Sequence, residues 1–306
     1  MRSRRVVAIV IAAVLVTGGV LVQRSCGRQE RFTVDAYRGL GAWVDVFDYV
    51  PAVSGGRPTF GPPDVDAMAA QGVRTVYFQA AFDSPSLTNG AVPADLLVPI
   101  LRRAHDRGMR VVGWYAPRFL DEAADLDRLV AITRFDADGQ RFDGLAVDIE
   151  DRDLADVAER NRRVVDLSQK LRDAVGNHAA IGAIVPSTVL LENINPRFWP
   201  AFPWAQIAPR YDVWLPMTYW TDRLRSSGYR DPRRDIEATV TRTRELLGRP
   251  DAPIHPIGGI GDRLTEADLE VYVATLPVVG AIGGSIYDYR TMPTGGWGVL
   301  RGRIPR

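Results

Sequence analysis

The sequence predicts a (β/α)8 TIM barrel preceded by one N-terminal membrane-anchoring helix, and three observations carry that prediction. From about Arg38 onward, strand-like apolar segments alternate with amphipathic helical ones. There are eight strand segments, and the chain opens on a short basic stretch followed by an uncharged apolar run. Eight β units joined mostly by helices imply a parallel sheet, and a parallel sheet of that size closes into a barrel. The 306 residues, 46% hydrophobic and 25% charged, have ordinary globular composition. One such barrel takes about 250 residues.

The N-terminus is read first. Arg2, Arg4 and Arg5 precede the apolar run from Val6 to Val22. At 1.5 Å rise per residue that run spans about 25 Å, the short end for a membrane helix. The arginines favour the cytoplasmic side. The expected organisation is a cytoplasmic stub (1–5), a single-pass signal-anchor (6–22), a linker (23–37) and an extracytoplasmic barrel (38–306). A cleaved signal peptide is the rival, but the residues after Val22 lack the small-x-small cleavage pattern. Cys26 is the single cysteine, so no intrachain disulfide is possible. It follows "QRS", a poor match to a lipoprotein signal, and acylation, an intermolecular disulfide and no role at all stay open.

The strand segments are "LGAWVDVFDY", "VRTVYFQAAF", "MRVVGWYAP", "FDGLAVDIE", "AAIGAIVPS", "YDVWLPMTYW", "APIHPIGGI" and "GAIGGSIYDY". Amphipathic runs such as "PADLLVPILRRAHDRG" and "TEADLEVYVATLP" separate them. Gly72, Gly108 and Gly176 fall where helices should end, the usual place for glycine. A doubly wound open sheet is the alternative, but it needs a glycine-rich first turn that "GGRPTFGPP" does not supply in the right context. The long Gly- and Pro-rich segment after the first strand, "VPAVSGGRPTFGPPDVD", reads as a loop at the C-terminal face. The tail "TMPTGGWGVLRGRIPR" reads as irregular, its apolar part packing against the barrel.

Within "FDGLAVDIEDRD" the strand alternation separates two faces. Leu145, Val147 and Ile149 share the face that packs under helices. Gly144, Ala146, Asp148 and Glu150 share the face that points into the barrel, small residues below and two acids at the mouth. Carboxylates are costly there unless paired or used. Capping of a helix expected from about Asp151 to Val175 accounts for Asp151 and Asp153. It accounts poorly for Asp148, which lies inside the strand.

"DGLAVDIE", Asp143 to Glu150, resembles the fourth-strand signature D-G-x-D-x-D-x-E of family-18 glycoside hydrolases, the chitinase family. Asp143, Gly144, Asp148 and Glu150 match, and Ala146 replaces an aspartate. On the sixth strand "PMTYW" resembles that family's M-x-Y-D, with Met217 and Tyr219 matching and Trp220 replacing the aspartate. The resemblance implies a retaining hydrolysis assisted by the substrate's own N-acetyl group, one of the exceptions to the two-carboxylate scheme. Glu150 is then the general acid, Asp148 orients the acetamido group, and Tyr219 hydrogen-bonds the ring it forms. Asp148 beside Glu150 should raise the glutamic acid's pKa.

Other positions expected at the mouth as substrate-binding residues are Asp45 and Asp48 on the first strand and Gln79 on the second. Trp114 and Tyr115 follow on the third, Met217, Trp220 and Asp222 on the sixth, and Tyr287 and Asp288 on the eighth. Trp43, Tyr77, Arg118 and Tyr289 lie near them. Aromatic faces suit sugar C–H faces, and acids and amides suit hydroxyls, although any one of these aromatics could equally be core. No cofactor is expected. His105, His178 and His255 are far apart in sequence without ligand spacing, so no metal is expected either. The net charge of +1, with no dense basic run beyond the N-terminus, argues against nucleic acid. The expected partners are a polysaccharide or other glycan and the membrane, with the protein monomeric. A catalytically inactive barrel that binds envelope glycan or a partner protein is the competing expectation, favoured by Ala146 and Trp220. A purely structural barrel is a third.

Overall fold

The computed structural model describes residues 32–177, 179–293 and 295–305. The run at 6–22, Cys26 and His178 lie outside the described residues. Among the described residues no helix is long and apolar enough to cross a membrane.

Eight parallel strands close into a barrel in sequence order. They are β1 (Gly39–Val44), β2 (Thr75–Gln79), β3 (Arg110–Tyr115), β4 (Gly144–Asp148), β5 (Ile181–Pro186), β6 (Val213–Met217), β7 (Ile257–Ile260) and β8 (Gly283–Tyr287). Each falls inside its expected segment. The main helices are α1 (Pro62–Ala70), α2 (Ala94–Asp106), α3 (Glu122–Arg134), α4 (Val157–Val175), α5 (Trp204–Ile207), α6 (Pro232–Leu247), α7 (Glu266–Val278) and α8 (Gly296–Leu300). Gly72, Gly108 and Gly176 all have φ between 71° and 86°, the left-handed conformation that ends a helix cheaply only with glycine.

Side-chain alternation builds two cores. Outward residues such as Leu40, Val76, Val111, Leu145, Val147 and Ile181 pack under the helices. Inward residues, among them Trp43, Tyr77, Val112, Trp114, Ala146, Leu215, Met217 and Ile257, fill the barrel. Tyr37, from a 3-10 turn over Val34–Tyr37, plugs this interior and donates to the Leu145 carbonyl at 2.6 Å. A Cβ on Gly182 would sit 2.8 Å from the Tyr37 ring, so glycine makes room for the plug. Packing against the barrel already includes residues ahead of Arg38, since Phe32 and Tyr37 are both buried. The C-terminal tail holds α8, whose Trp297 and Leu300 are buried, so it is more regular than its composition suggests.

A polar chain runs through the interior. Trp43 Nε1 donates to Ser285 Oγ at 2.8 Å, and Ser285 Oγ lies 3.0 Å from His255 Nε2. His255 Nδ1 lies 2.8 Å from the Tyr37 carbonyl, which can only accept, so Nδ1 carries the proton and Ser285 donates to Nε2. Ser285 and His255 have the order of a nucleophile and its base, but both are fully buried and no substrate can reach them. Burial pushes the His255 pKa down to about 4, against the bond to Tyr37. This is a structural histidine.

Candidate active site

The mouth of the barrel is built from strand ends. Asp148 closes β4 on the inward face, and Ile149 continues the ladder by donating to the Ile184 carbonyl at 2.9 Å. That extension keeps the alternation in phase, so Glu150 follows Asp148 on the inward side. Asp148 is only 7% exposed and its Oδ1 is buried without a hydrogen-bond partner. Burial, then the charges of Glu150 and Asp151, raise its pKa well above the usual carboxylate range. Glu150 keeps a solvent-exposed surface, although protein around its carboxyl desolvates it in part. Its pKa is also raised, first by this partial burial and then by Asp151, with Arg152 opposing. The repulsion expected between the two acids therefore adds to burial in raising Asp148.

Tyr219 faces the same space from beyond β6. Burial raises its hydroxyl pKa, and the charges of Glu150, Tyr287 and Asp148 add to that effect. Its ring centroid lies 6.3 Å from that of Tyr287. Tyr287 is raised by burial and then by Asp45, Asp288 and Asp148. Electrostatics therefore link Asp148, Glu150, Tyr219 and Tyr287 in one mouth. Met217 lies among the inward residues, and Trp114 stands beside Trp43 with its buried Nε1 unpartnered.

Asp45, Asp48 and Asp288 gather on the β1 and β8 side, with carboxylate oxygens within 4.8 Å of one another. Asp45 accepts from Phe47 N at 2.8 Å as the cap of a one-turn helix, Val46–Tyr49, and Asp288 accepts from Thr291. Asp48 leaves Oδ2 buried without a partner. Burial and the charges of Asp45 and Asp288 push its pKa up to about 6. These carboxylates could share a proton or receive a cation. Gln79 is in the mouth, but its amide oxygen accepts from Val46 N at 3.0 Å and so braces that turn.

Several expected positions lie elsewhere. Trp220 is fully buried against Tyr272 of α7, outside the barrel, so it does not offer its ring to a ligand in the mouth. Tyr115 points outward by strand parity, donates to Asp125 at 2.6 Å and accepts from Arg128 at 2.8 Å. It too is a packing residue. Asp222 is near enough to influence Tyr219 but pairs with Arg263 at 2.5 Å. Asp143 lies at the opposite end of β4. There burial opposes its ionisation, but His105 at 3.0 Å and the Val111 N–H hold its pKa below the usual range. Trp43 and Tyr77 stack at 4.3 Å in the interior, and Tyr289 packs edge-on against Phe60.

The helix after β4 starts later than expected. Its cap is Asp156, which accepts from Ala158 and Glu159 N–H groups, and neither Asp151 nor Asp153 caps it. Arg160 donates to the Arg152 and Leu154 carbonyls and Arg152 stacks over Phe198, which hold residues 151–155 in a loop. Asp153 pairs instead with Arg118, whose other arm reaches Asp83 at 3.2 Å. Freed from capping, Asp151 is left beside the two acids and perturbs both. Phe47, a residue the alternation did not mark, stands exposed on the rim.

Comparison with solved structures places this architecture. The same (β/α)8 fold is found in several glycoside hydrolases. The glycoside hydrolase domain of PgaB from Bordetella bronchiseptica superposes with a TM-score of 0.60 at 13% identity, over 88% of this chain and 99% of that one. A family 18 N-acetylglucosaminidase from Paenibacillus barengoltzii gives 0.56 at 9% identity, over 86% and 99%. An endoglucanase from Pseudomonas stutzeri gives 0.56 at 17% identity, over 86% and 93%. Identities this low describe shared fold, and chemistry has to be argued from the residues. No family model matches the sequence, and no curated protein matches it.

Proposed function

We propose that the protein is a glycoside hydrolase acting on a polysaccharide that contains N-acetyl sugars, held at the outer face of a membrane by its N-terminal run. The observation that carries this reading is that two acids and a tyrosine from different strand ends share the barrel mouth: Asp148 is 7% exposed with Oδ1 unpartnered, and the Glu150 charge acts on both Asp148 and Tyr219. Structural work does not account for it, since helix capping falls to Asp156.

In this reading Glu150, its pKa raised, protonates the glycosidic oxygen as the bond to the anomeric carbon breaks. The substrate's acetamido oxygen attacks that carbon from the other face. Asp148 accepts from the acetamido N–H through its unpartnered Oδ1, and Tyr219 donates to the ring that forms. Water then attacks the anomeric carbon and gives its proton to the Glu150 carboxylate, and the acetamido group is restored.

Sugar release from a panel of envelope glycans tests the proposal. Glu150→Gln should lose nearly all turnover while glycan binding stays. Equal activity in both proteins removes Glu150 as the acid. Tight binding without cleavage by either supports the inactive glycan-binding barrel, which Ala146 favours. The tether is tested separately: protease added to intact cells should digest the barrel and leave a cytoplasmic marker untouched.

A further inference from the structure

An arginine and an aspartate lie buried together on the mouth side of the barrel, and the proposed chemistry uses neither. Arg223 is 8% exposed, and Asp235, in the first turn of α6, is fully buried. Their facing atoms, Nε and Oδ2, stand 3.5 Å apart, and neither has a hydrogen-bond partner. The pull of Arg223 does not offset the burial of the carboxylate, whose pKa is pushed up to about 6. Taking two charges out of water for so loose a contact costs more than the attraction returns. Stability is therefore a poor reason for this pair to be here.

Its geometry supplies a better one. Arg223 follows the turn that carries Tyr219. Asp222 N donates to the Tyr219 carbonyl and Arg223 N to the Trp220 carbonyl, both at 3.0 Å, so the turn moves as one piece. Toward β7 it is braced twice: Thr218 Oγ1 donates to the Ile257 carbonyl at 2.7 Å, and Thr221 Oγ1 accepts from Ile260 N at 2.9 Å. Toward β5, Arg223 Nη2 donates at 3.1 Å to the hydroxyl of Ser187, which directly follows that strand. Asp235 holds the same guanidinium from α6. The two mouth acids belong to β4, beyond β5, and the end of β4 is itself tied to β5 through Ile149 and Ile184. The Arg223 contact thus lies on the side from which Tyr219 meets Asp148 and Glu150.

We propose that Arg223, held by Asp235, is a positioning residue that draws the Tyr219 turn toward β5 and so sets the tyrosine against Asp148 and Glu150. Its catalytic consequence rests on the hydrolase reading above, while its geometric content can be measured without turnover. Arg223 acts through Tyr219 and need not touch substrate.

A mutant cycle on N-acetylglucosamine oligomers tests this. Arg223→Met combined with Asp235→Leu removes both buried charges, so the urea unfolding midpoint should stay or rise. In that double variant kcat and kcat/KM should fall together by about tenfold with KM unchanged, the mark of an interaction used in the transition state. Tyr219→Phe should lower kcat strongly in wild type and add little in the double variant, because both changes disable one group. Additive losses overturn the proposal, as does an unchanged kcat. Ser187→Ala should lower kcat about threefold, and it carries the same cycle if the double variant fails to fold. If wild type cleaves no oligomer, the hydrolase reading fails, and positioning is read by carbon NMR of labelled tyrosine, with Tyr219→Phe assigning the signal. The Tyr219 ring should sense the titration of Glu150 in wild type, lose that step in Glu150→Gln, and show a smaller step in the double variant or in Ser187→Ala. No step in wild type, or a step of equal size in the variants, overturns the proposal.

Discussion

Tyr287 and Asp45 are joined across the seam where the first and last strands close the barrel: the tyrosine hydroxyl donates to the carboxylate at 3.3 Å. Asp45 thereby serves two ends, since its other oxygen caps the turn that carries Phe47. Burial raises the Asp45 pKa, and the bonds from Phe47 N and Tyr287 oppose that rise. Tyr287→Phe should therefore push the Asp45 pKa further up, visible in carbon NMR titration of the carboxyl. Its stability cost should be about 1 kcal/mol by denaturant unfolding. An unmoved Asp45 titration means that the two groups do not share a bond in solution.

Asp48 gives a pH dependence of known sign. Its folded pKa of about 6 lies above the ordinary carboxylate value, so the folded state binds the extra proton. Stability from this group is fully present below the unfolded pKa and falls as pH rises toward 6. The neighbouring solvent weakens the effect, and about 1 kcal/mol is a reasonable size for it. Asp48→Asn should be more stable than wild type by that amount near neutral pH, with the difference vanishing near pH 4. A destabilised variant at neutral pH would show that Asp48 is compensated by a partner such as Arg290, whose Nε lies 4.0 Å away.

His255 works in the opposite direction. Its folded pKa of about 4 lies below the ordinary value of 6.5, so the unfolded chain binds the proton first. Stability contributed by the neutral ring is present above about 6.5 and is lost as pH falls toward 4, on the order of 3 kcal/mol for a fully buried group. His255→Gln should start less stable and show a flatter acid limb. Ser285→Ala strips a partner from both Trp43 Nε1 and His255 Nε2 and should cost about 2–3 kcal/mol. Because the raised carboxylates oppose His255 over part of this range, each slope is read from variant-minus-wild-type differences.

The strands were legible because period-two alternation survives inside each of them. Ala146 and Asp148 point inward, and Leu145 and Val147 outward, as counting by two requires. Two expected mouth residues went against that count. Trp220 adjoins Tyr219 and Tyr115 adjoins Trp114, and neighbours along a strand face opposite ways, so both belong outside the barrel. For Trp220 the chain has also left the strand, since Thr218 N bonds back to the Pro216 carbonyl and Trp220 opens a 3-10 turn. The late start of α4 depends on Arg152 and Arg160 meeting residues far along the chain or across the loop, and local capping preference cannot anticipate that. Phe47 carried no periodic signal, since its exposure comes from a turn made by tertiary hydrogen bonds.

Ala146 offers the sharpest test of how far the chitinase resemblance reaches. It lies opposite Trp114 in the β3–β4 register and one inward step below Asp148. A carboxyl there would add negative charge beneath a pair whose acids are already hard to ionise. Ala146→Asp should therefore move the alkaline limb of kcat/KM upward by about one pH unit, while the uncharged Ala146→Asn leaves it in place. Both variants crowd a fully buried site, where a Cβ added at Gly182 would already lie 3.3 Å from that of Ala146. Each should lose about 1–3 kcal/mol of stability. The shared stability loss cancels in the comparison, so the pH limb alone reports whether Asp148 and Glu150 govern the chemistry. A limb that stays put in both variants means that the group titrating in turnover lies outside this pair.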